Sequence, residues 1–141
     1  MARDIFGAVA YLHQNNILHR DIKPENILKK DSKYLRWALG DFGLACYQTE
    51  QLQIDLQVGT EAYLPPEVIE RKSTHTTKAD IWACGKTLLR TFQYKYPNFE
   101  PGFNWFSSKS LPIAVRRVLK ECLQDDQYSR PSASYALRML N

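Results

Sequence analysis

Apolar residues recur at the spacing of an α-helix in four segments of the chain. In the first segment, Ile5, Val9 and Leu12 stand at positions i, i+4 and i+7, so they would share one helix face. His13 lies beside this apolar stripe. The spacing predicts an amphipathic helix over residues 1–15, ended by a pair of asparagines.

Three further amphipathic helices are predicted in the second half of the chain. The first runs from about Lys78 to Phe92, the second begins near Pro112, and the third follows Ser132, which is a candidate N-cap. Their predicted buried faces are Ile81, Gly85, Leu88 and Phe92; Val115, Val118, Leu119, Cys122 and Leu123; and Ala133, Ala136, Leu137 and Leu140.

The pattern changes between the first two helices. Short apolar stretches at 27–28 and 34–39 flank the polar residues 29–33, which predicts a small β-hairpin. From Gly43 to Pro66 neither period is sustained, so we predict a long loop, and such loops in compact domains are usually functional. The predicted fold class is therefore α+β, predominantly helical, with one small hairpin.

Composition narrows the classes of protein to which the chain can belong. Its 141 residues, 44% apolar and 24% charged, predict one globular domain. Neither a membrane span nor a secretory signal is expected, and the net charge of +4 is too scattered for a nucleic-acid partner. Three cysteines without a C-x-x-C pair favour a reducing intracellular compartment, cytoplasmic or nuclear.

Two polar segments flank the predicted hairpin. His19-Arg20-Asp21-Ile22-Lys23-Pro24-Glu25-Asn26 precedes it, and Asp41-Phe42-Gly43 follows it. Because a hairpin brings its two ends together, we expect Asp21, Lys23 and Asn26 to lie near Asp41.

These side chains suit phosphate chemistry. Carboxylate and amide oxygens hold Mg²⁺ together with a phosphate group. An ammonium group can neutralise a phosphoryl group during its transfer, and a second carboxylate can accept the proton of an attacking hydroxyl.

The two segments resemble the catalytic loop and the metal-binding triplet of protein kinases. Later motifs continue the resemblance in the same order along the chain. They are Gly59-Thr60 with Tyr63, then Pro65-Pro66-Glu67 as the end of an activation segment, then Asp80, Trp82 and Gly85 in the large central helix, and finally Arg130.

The resemblance implies a serine/threonine protein kinase that transfers a phosphoryl group from ATP to protein Ser or Thr hydroxyls. Asp21 would be the catalytic base, and Lys23 would contact the transferred phosphate. Asn26 and Asp41 would hold Mg²⁺. The position of Lys23, together with Thr60 after Gly59, is typical of serine/threonine rather than tyrosine kinases.

The resemblance also implies structural and regulatory roles. His19 and Phe42 are expected to pack, with Gly43 completing the triplet, and Asp80 is expected to hold the backbone of the catalytic loop. Arg20 would require an anion from the activation segment, and we hypothesise that Asp55 or Glu50 supplies it.

Two further expectations concern residues outside the proposed chemistry. Glu67 and Arg130 are expected to form a buried ion pair. His13 and His75 are expected to have no special role, and a decayed site in which Asp21 merely caps a turn stays an alternative.

The resemblance divides the single domain, residues 1–141, into parts. After the first helix, the catalytic loop, hairpin and triplet occupy 19–43, the activation segment 44–67, and a helical subdomain 78–141. This corresponds to the C-terminal lobe of a kinase. The 141 residues contain no G-x-G-x-x-G loop and no lysine before His19, so we expect the N-terminal lobe to be absent.

Two readings follow from that expectation. In the first, the chain is a serine/threonine kinase, either a truncated product or a fragment of a longer chain. Alone it would have weak or absent Mg-ATP binding and little activity, and a kinase N-terminal lobe could complement it. In the second, it is a non-catalytic binding module that docks to an intact kinase or to a substrate.

Overall fold

The computed structural model describes residues 1–31, 33–34, 36–50, 58–95 and 111–141. The helices are α1 (Ala2–Gln14), α2 (Pro66–Ile69), α3 (Thr77–Lys95), α4 (Ile113–Cys122) and α5 (Ala133–Met139). The strands are β1 (Ile17–Leu18), β2 (Ile27–Asp31), β3 (Arg36–Leu39) and β4 (Cys46–Tyr47). The predicted class, a mainly helical α+β fold with a small hairpin, is confirmed.

Helix α1 packs against α5, α3 and β3, while α4 packs against α3 and α5. The apolar faces predicted from the helical spacing meet in one core, because burying them together removes most of their apolar surface from water. The buried side chains of the core include Ile5, Phe6, Val9, Ile81, Leu88, Val118, Leu119 and Cys122. Helix α1 ends where Asn16 takes a left-handed conformation, with φ of 58°.

The hairpin of β2 and β3 positions both polar segments. Ile27 lies opposite Leu39 in an antiparallel register, and Gly40 N donates to the carbonyl oxygen of Asn26 at 2.9 Å. The catalytic-loop segment therefore enters the hairpin at the point where Asp41 leaves it. Strand β2 continues to Asp31, further into the polar residues than the apolar pattern predicts.

The prediction of a loop without elements from Gly43 to Pro66 was wrong in part. Strand β4 pairs with β1, so that Leu18 lies opposite Cys46 and Ile17 opposite Tyr47. A two-residue strand is too short to show a period in the sequence, and it forms through pairing with a distant segment. The pairing holds the residues after Asp41-Phe42-Gly43 against those before His19.

Helices α3, α4 and α5 are close to their predicted positions, although α3 extends past Phe92 to Lys95. Ser132 caps α5, with its side-chain oxygen accepting from Tyr135 N. In the described part of the chain, no helix is long and apolar enough to cross a membrane. The aromatic residues of 96–110 lie outside the described residues.

Glu67 and Arg130 form the buried ion pair that the sequence predicts. The two terminal nitrogens of Arg130 donate to the two carboxylate oxygens of Glu67 at 2.7 and 2.8 Å. The remaining guanidinium hydrogens go to the carbonyl oxygens of Gln124, Asp125 and Lys78. The pair ties α2, at the end of the activation segment, to the turn before α5.

We expect Glu67→Ala to lower the free energy of unfolding by about 3–5 kcal/mol, because it leaves the buried Arg130 charge without its anion. Glu70→Ala is the matched control, since Glu70 pairs with Lys72 at 2.5 Å on the exposed surface, and such pairs contribute less than about 1 kcal/mol. Urea denaturation measures both variants. Equal losses would show that the Glu67–Arg130 pair is not a special constraint.

Alanine substitution at two helical glycines should change the free energy of unfolding in opposite directions. A Cβ at Gly85 would lie 2.9 Å from Leu123 Cδ2 and 3.0 Å from Cys122 Cβ, so Gly85→Ala forces α4 away from α3. We expect a loss of about 1–3 kcal/mol. A Cβ at Gly7 meets nothing within 4 Å, so Gly7→Ala should gain up to about 1 kcal/mol of helix stability. Urea denaturation would contradict this if both shifts had the same sign.

Candidate functional site

One buried carboxylate, that of Asp80 on α3, holds the backbone of the catalytic-loop segment. Asp80 Oδ2 accepts from His19 N at 3.0 Å, and Asp80 Oδ1 accepts from Arg20 N at 3.0 Å. His13 Nε2 bonds to Asp80 Oδ2 at 2.9 Å. Arg20 has φ of 67°, a strained left-handed conformation for a residue with a side chain, and the bond to its N–H helps to hold it there.

The electrostatics of Asp80 agree with this geometry. Burial acts to raise its pKa, but the hydrogen bond and charge of His13 and the two backbone N–H groups outweigh burial, so the pKa is lowered. Asp80 therefore stays ionised inside the protein. It lies on α3, so the central helix fixes where the catalytic loop begins.

Asp21 is nine-tenths buried and receives four hydrogen bonds. Its Oδ1 accepts from Thr60 N at 3.1 Å and from Thr60 Oγ1 at 2.7 Å. Its Oδ2 lies 2.8 Å from Lys23 Nζ and accepts from Asn26 Nδ2 at 3.1 Å. A carboxylate has about four acceptor positions, so all those of Asp21 are taken by this chain's own groups.

Lys23, Thr60 and Asp21 form a closed triangle. Lys23 Nζ donates to Thr60 Oγ1 at 2.8 Å, and Thr60 Oγ1 in turn donates to Asp21 Oδ1. The hydrogen bond to Asp21 raises the pKa of Lys23. Burial acts to raise the pKa of Asp21, but the bonds from Lys23, Thr60 and Asn26 prevail and lower it. Both groups are therefore charged at neutral pH.

Gly59 allows Thr60 to reach Asp21. Its φ is 106°, and a Cβ built there would lie 2.4 Å from the carbonyl oxygen of Arg20. The activation-segment backbone thus rests directly on the catalytic-loop backbone at this point. Only glycine combines this backbone conformation with so close an approach.

Asn26 and Asp41 carry the oxygens that fit Mg²⁺. Asn26 Nδ2 donates to the carbonyl oxygen and the carboxylate of Asp21, which leaves the amide oxygen of Asn26 as the atom suited to a cation. Asp41 is exposed and has φ of 55°, and its Oδ1 accepts from Gly43 N at 3.2 Å. Among the residues described, no three His, Cys, Asp or Glu side chains form a metal cluster. This donor set suits a cation that takes part of its coordination from phosphate.

His19 and Phe42 connect the two polar segments. His19 is fully buried, and its Nε2 bonds to the carbonyl oxygen of Gly40 at 3.0 Å. Its ring contacts the Phe42 ring edge to face, with centroids 5.1 Å apart. Phe42 is nevertheless 51% exposed, so its packing is less complete than the sequence predicts.

Arg20 extends toward the residues after the triplet. Its Nε donates to the carbonyl oxygen of Leu44 at 2.6 Å. The hypothesis that Asp55 or Glu50 supplies an anion to Arg20 concerns side chains outside the described part of the structure.

The sequence interpretation missed the contribution of one histidine, His13, while the expectation for His75 stays a prediction. His13 was expected to have no role, yet it bonds to Asp80; its position beside the apolar stripe of α1 was the available signal. His75 is buried, and its Nε2 lacks a hydrogen-bond partner among the described residues. Desolvation lowers the pKa of His75, so burial favours its neutral form.

The lowered pKa of Asp21 should make the stability of the chain depend on pH. An ionised Asp21 stabilises the fold fully above its unfolded pKa, 3.8, and this contribution is lost as pH falls through the lower folded pKa. We expect the stability difference between the wild type and Asp21→Asn to shrink as pH falls from 6 to 3. Urea denaturation at each pH measures it, and a constant difference would contradict the assignment.

Comparison with known proteins agrees with the geometry. The family profile described as "Protein kinase domain" matches residues 1–140. The chain is 35% identical over 148 residues to calcium-dependent protein kinase 6 of Plasmodium berghei, covering 94% of this chain and 10% of that protein.

Two further relatives match over shorter segments. The chain is 41% identical over 92 residues to the phosphorylase b kinase gamma catalytic chain, liver/testis isoform, of Bos taurus, covering 62% of this chain and 22% of that protein. It is 44% identical over 89 residues to CBL-interacting serine/threonine-protein kinase 10 of Arabidopsis thaliana, covering 60% and 18%. The chain thus spans between 10% and 22% of the length of these relatives. Because the profile covers nearly the whole chain, the chain belongs to the protein kinase family.

Proposed function

We propose that this chain provides the catalytic-loop part of a serine/threonine protein kinase, which transfers the terminal phosphoryl group of ATP to a Ser or Thr hydroxyl of a protein substrate. The observation that carries the proposal is the position of the Thr60 hydroxyl. Its oxygen lies 2.7 Å from Asp21 Oδ1 and 2.8 Å from Lys23 Nζ. The site therefore already holds an alcohol between a carboxylate and an ammonium, as phosphoryl transfer to an alcohol requires.

Asp21 would orient the substrate hydroxyl and take its proton as the new oxygen–phosphorus bond forms. Its lowered pKa favours the ionised acceptor at neutral pH. Since four internal donors occupy its oxygens, the substrate hydroxyl would have to displace at least one of them. Asn26 Nδ2, at 3.1 Å, makes the longer of the two bonds to Oδ2.

Lys23 would stabilise negative charge on the phosphoryl group in flight. Its pKa is raised by the hydrogen bond to Asp21, so the ammonium keeps its proton throughout. Its contacts with Asp21 and Thr60 hold it beside the position of the acceptor hydroxyl. A fixed positive charge there favours the transition state more than the ground state.

Asn26 and Asp41 would hold Mg²⁺, with the remaining coordination supplied by phosphate oxygens and water. When bound, the ion would neutralise charge on the phosphates. The backbone hydrogen bond from Gly40 N to the carbonyl oxygen of Asn26 supports this assignment, because Asp41 directly follows Gly40. This arrangement needs no further carboxylate from the chain.

The proposed activity also requires a kinase N-terminal lobe. The sequence holds no glycine-rich loop to cover the phosphates and no lysine before His19. We therefore propose low phosphoryl-transfer activity for these 141 residues alone, with a kinase N-terminal lobe as the complementing partner. The reducing cytoplasm or nucleus is the proposed compartment, since the three cysteines of the sequence, an odd number, include no C-x-x-C pair.

A chimera that supplies a kinase N-terminal lobe tests whether these 141 residues can support phosphoryl transfer when that lobe is present. These 141 residues replace the matching segment of the Plasmodium calcium-dependent protein kinase 6, and phosphoryl transfer from ATP to a mixed protein substrate is measured. We expect activity that Asp21→Asn reduces by about 10²–10⁴-fold, the usual contribution of a general base. Arg117→Gln, an exposed change on α4, is the control and should leave activity unchanged.

Two outcomes would count against the proposal. An inactive chimera that is folded would favour the non-catalytic binding module. Activity that survives Asp21→Asn would remove Asp21 from the chemistry. The 141-residue chain alone, assayed in parallel, should show activity far below that of the chimera.

A further inference from the structure

A cavity of about 530 Å³ opens beside Thr60, between the turn Glu61–Tyr63 and helix α3. Its lining includes Thr60, Tyr63, Lys86, Arg90 and Glu25. Thr60 also forms part of the triangle with Asp21 and Lys23, so the cavity adjoins the proposed position of the acceptor hydroxyl. The proposed chemistry uses none of the charged groups of this cavity.

The cavity carries two cations on one helix face. Lys86 and Arg90 are four residues apart on α3, so they are neighbours along the same side of the helix. Within the described part of the chain, neither lies within 4.0 Å of an acidic group. Their charges are therefore available to an anion that enters the cavity.

Arg90 is held in place without being neutralised. Its guanidinium lies over the Tyr94 ring, 4.8 Å from the centroid, and its Nη1 lies 3.5 Å from Gln93 Oε1. Stacking on an aromatic ring leaves the edge of the guanidinium free to donate. A planar donor oriented in this way matches a carboxylate or a phosphate.

Charged groups of both signs line the cavity around Tyr63, and they act on its pKa. Burial raises its pKa first, the Glu25 carboxylate raises it further, and Arg90 acts in the opposite direction. Glu25 is the acidic residue of the lining, against the two cations Lys86 and Arg90. The charge balance of the cavity is therefore positive.

We propose that this cavity binds an anionic side chain of the protein substrate, close in sequence to the Ser or Thr that is phosphorylated. The proposal rests on the proposed function, because it takes the acceptor hydroxyl to lie at Asp21 and Lys23. Because Thr60, which contacts Asp21 and Lys23, also lines the cavity, the anionic residue would stand within a few positions of the acceptor in an extended peptide. Lys86 and Arg90 are the residues that would select it.

Glu25 provides the opposing interpretation, in which the cavity selects a basic side chain. One carboxylate would then have to dominate two cations on the facing helix. The two interpretations predict opposite preferences, so one binding series separates them.

Peptide binding tests the proposal without nucleotide or catalysis. Fluorescence anisotropy measures the affinity of the 141-residue chain for labelled eleven-residue peptides with a central Ser, in which one position at a time carries Glu, phosphoserine, Gln or Lys. At one or two positions we expect Glu to bind about tenfold more tightly than Lys, the effect of one charge-assisted contact. Phosphoserine should bind more tightly than Glu, and both preferences should weaken as salt rises.

Matched variants assign the preference to the cavity. Arg90→Gln and Lys86→Gln should each reduce the Glu-over-Lys ratio several-fold, and Arg90→Glu should reverse it. Glu25→Gln should increase it. Arg117→Gln makes the same charge change at an exposed position on α4 and should leave the ratio unaltered. Circular dichroism checks that each variant is folded.

Several results would overturn the proposal. They are a preference for Lys, equal binding of all peptides, no measurable binding, or an equal effect of Arg117→Gln. Its failure is distinguishable from failure of the proposed function. Phosphoryl transfer by the chimera without an anionic preference would remove only the cavity assignment. The preference without phosphoryl transfer would remove only the catalytic proposal.

Discussion

The buried carboxylate of Asp80 is the constraint on which the catalytic loop depends. A charge inside a protein is tolerated only when hydrogen bonds replace its lost hydration. Here the replacement comes from His19 N, Arg20 N and His13. Two of these donors are backbone N–H groups of the loop. The hydrogen bonds that stabilise the Asp80 charge therefore also fix the conformation of the loop. The Asp80 carboxylate thereby couples helix α1, helix α3 and the loop.

Asp21 repeats this principle nearer the surface. Its four hydrogen bonds come from the loop itself and from the activation segment, so the two segments are joined through one carboxylate. Charge is balanced locally, because Lys23 is the cation beside it. All acceptor positions of Asp21 are satisfied without a ligand. Under the proposed function a substrate hydroxyl would replace one donor, and exchanging one hydrogen bond for another changes the free energy little.

The sequence predicted the parts of this fold that rest on local pattern or on strong motifs. Helical spacing located α1, α3, α4 and α5, and the Glu67–Arg130 pair followed from the family resemblance. Strand β4 escaped prediction because its partner lies almost thirty residues earlier in the chain. The bond of His13 to Asp80 spans 67 residues. Neither contact produces a periodic pattern of residues in the local sequence, because both form only through tertiary packing. The roles of Asn26 and Asp41 toward a metal stay predictions.

Gly59 carries a consequence for how this family member can vary. Its missing side chain is what lets one backbone rest on another, with the Arg20 carbonyl 2.4 Å from where a Cβ would stand. Any replacement would move the activation segment outward and draw the Thr60 hydroxyl away from Asp21. In a saturation-mutagenesis library, position 59 should therefore tolerate no substitution at all, although it bears no chemical group that could take part in a reaction. Gly59 thus constrains the site through the side chain that it lacks rather than through a chemical group.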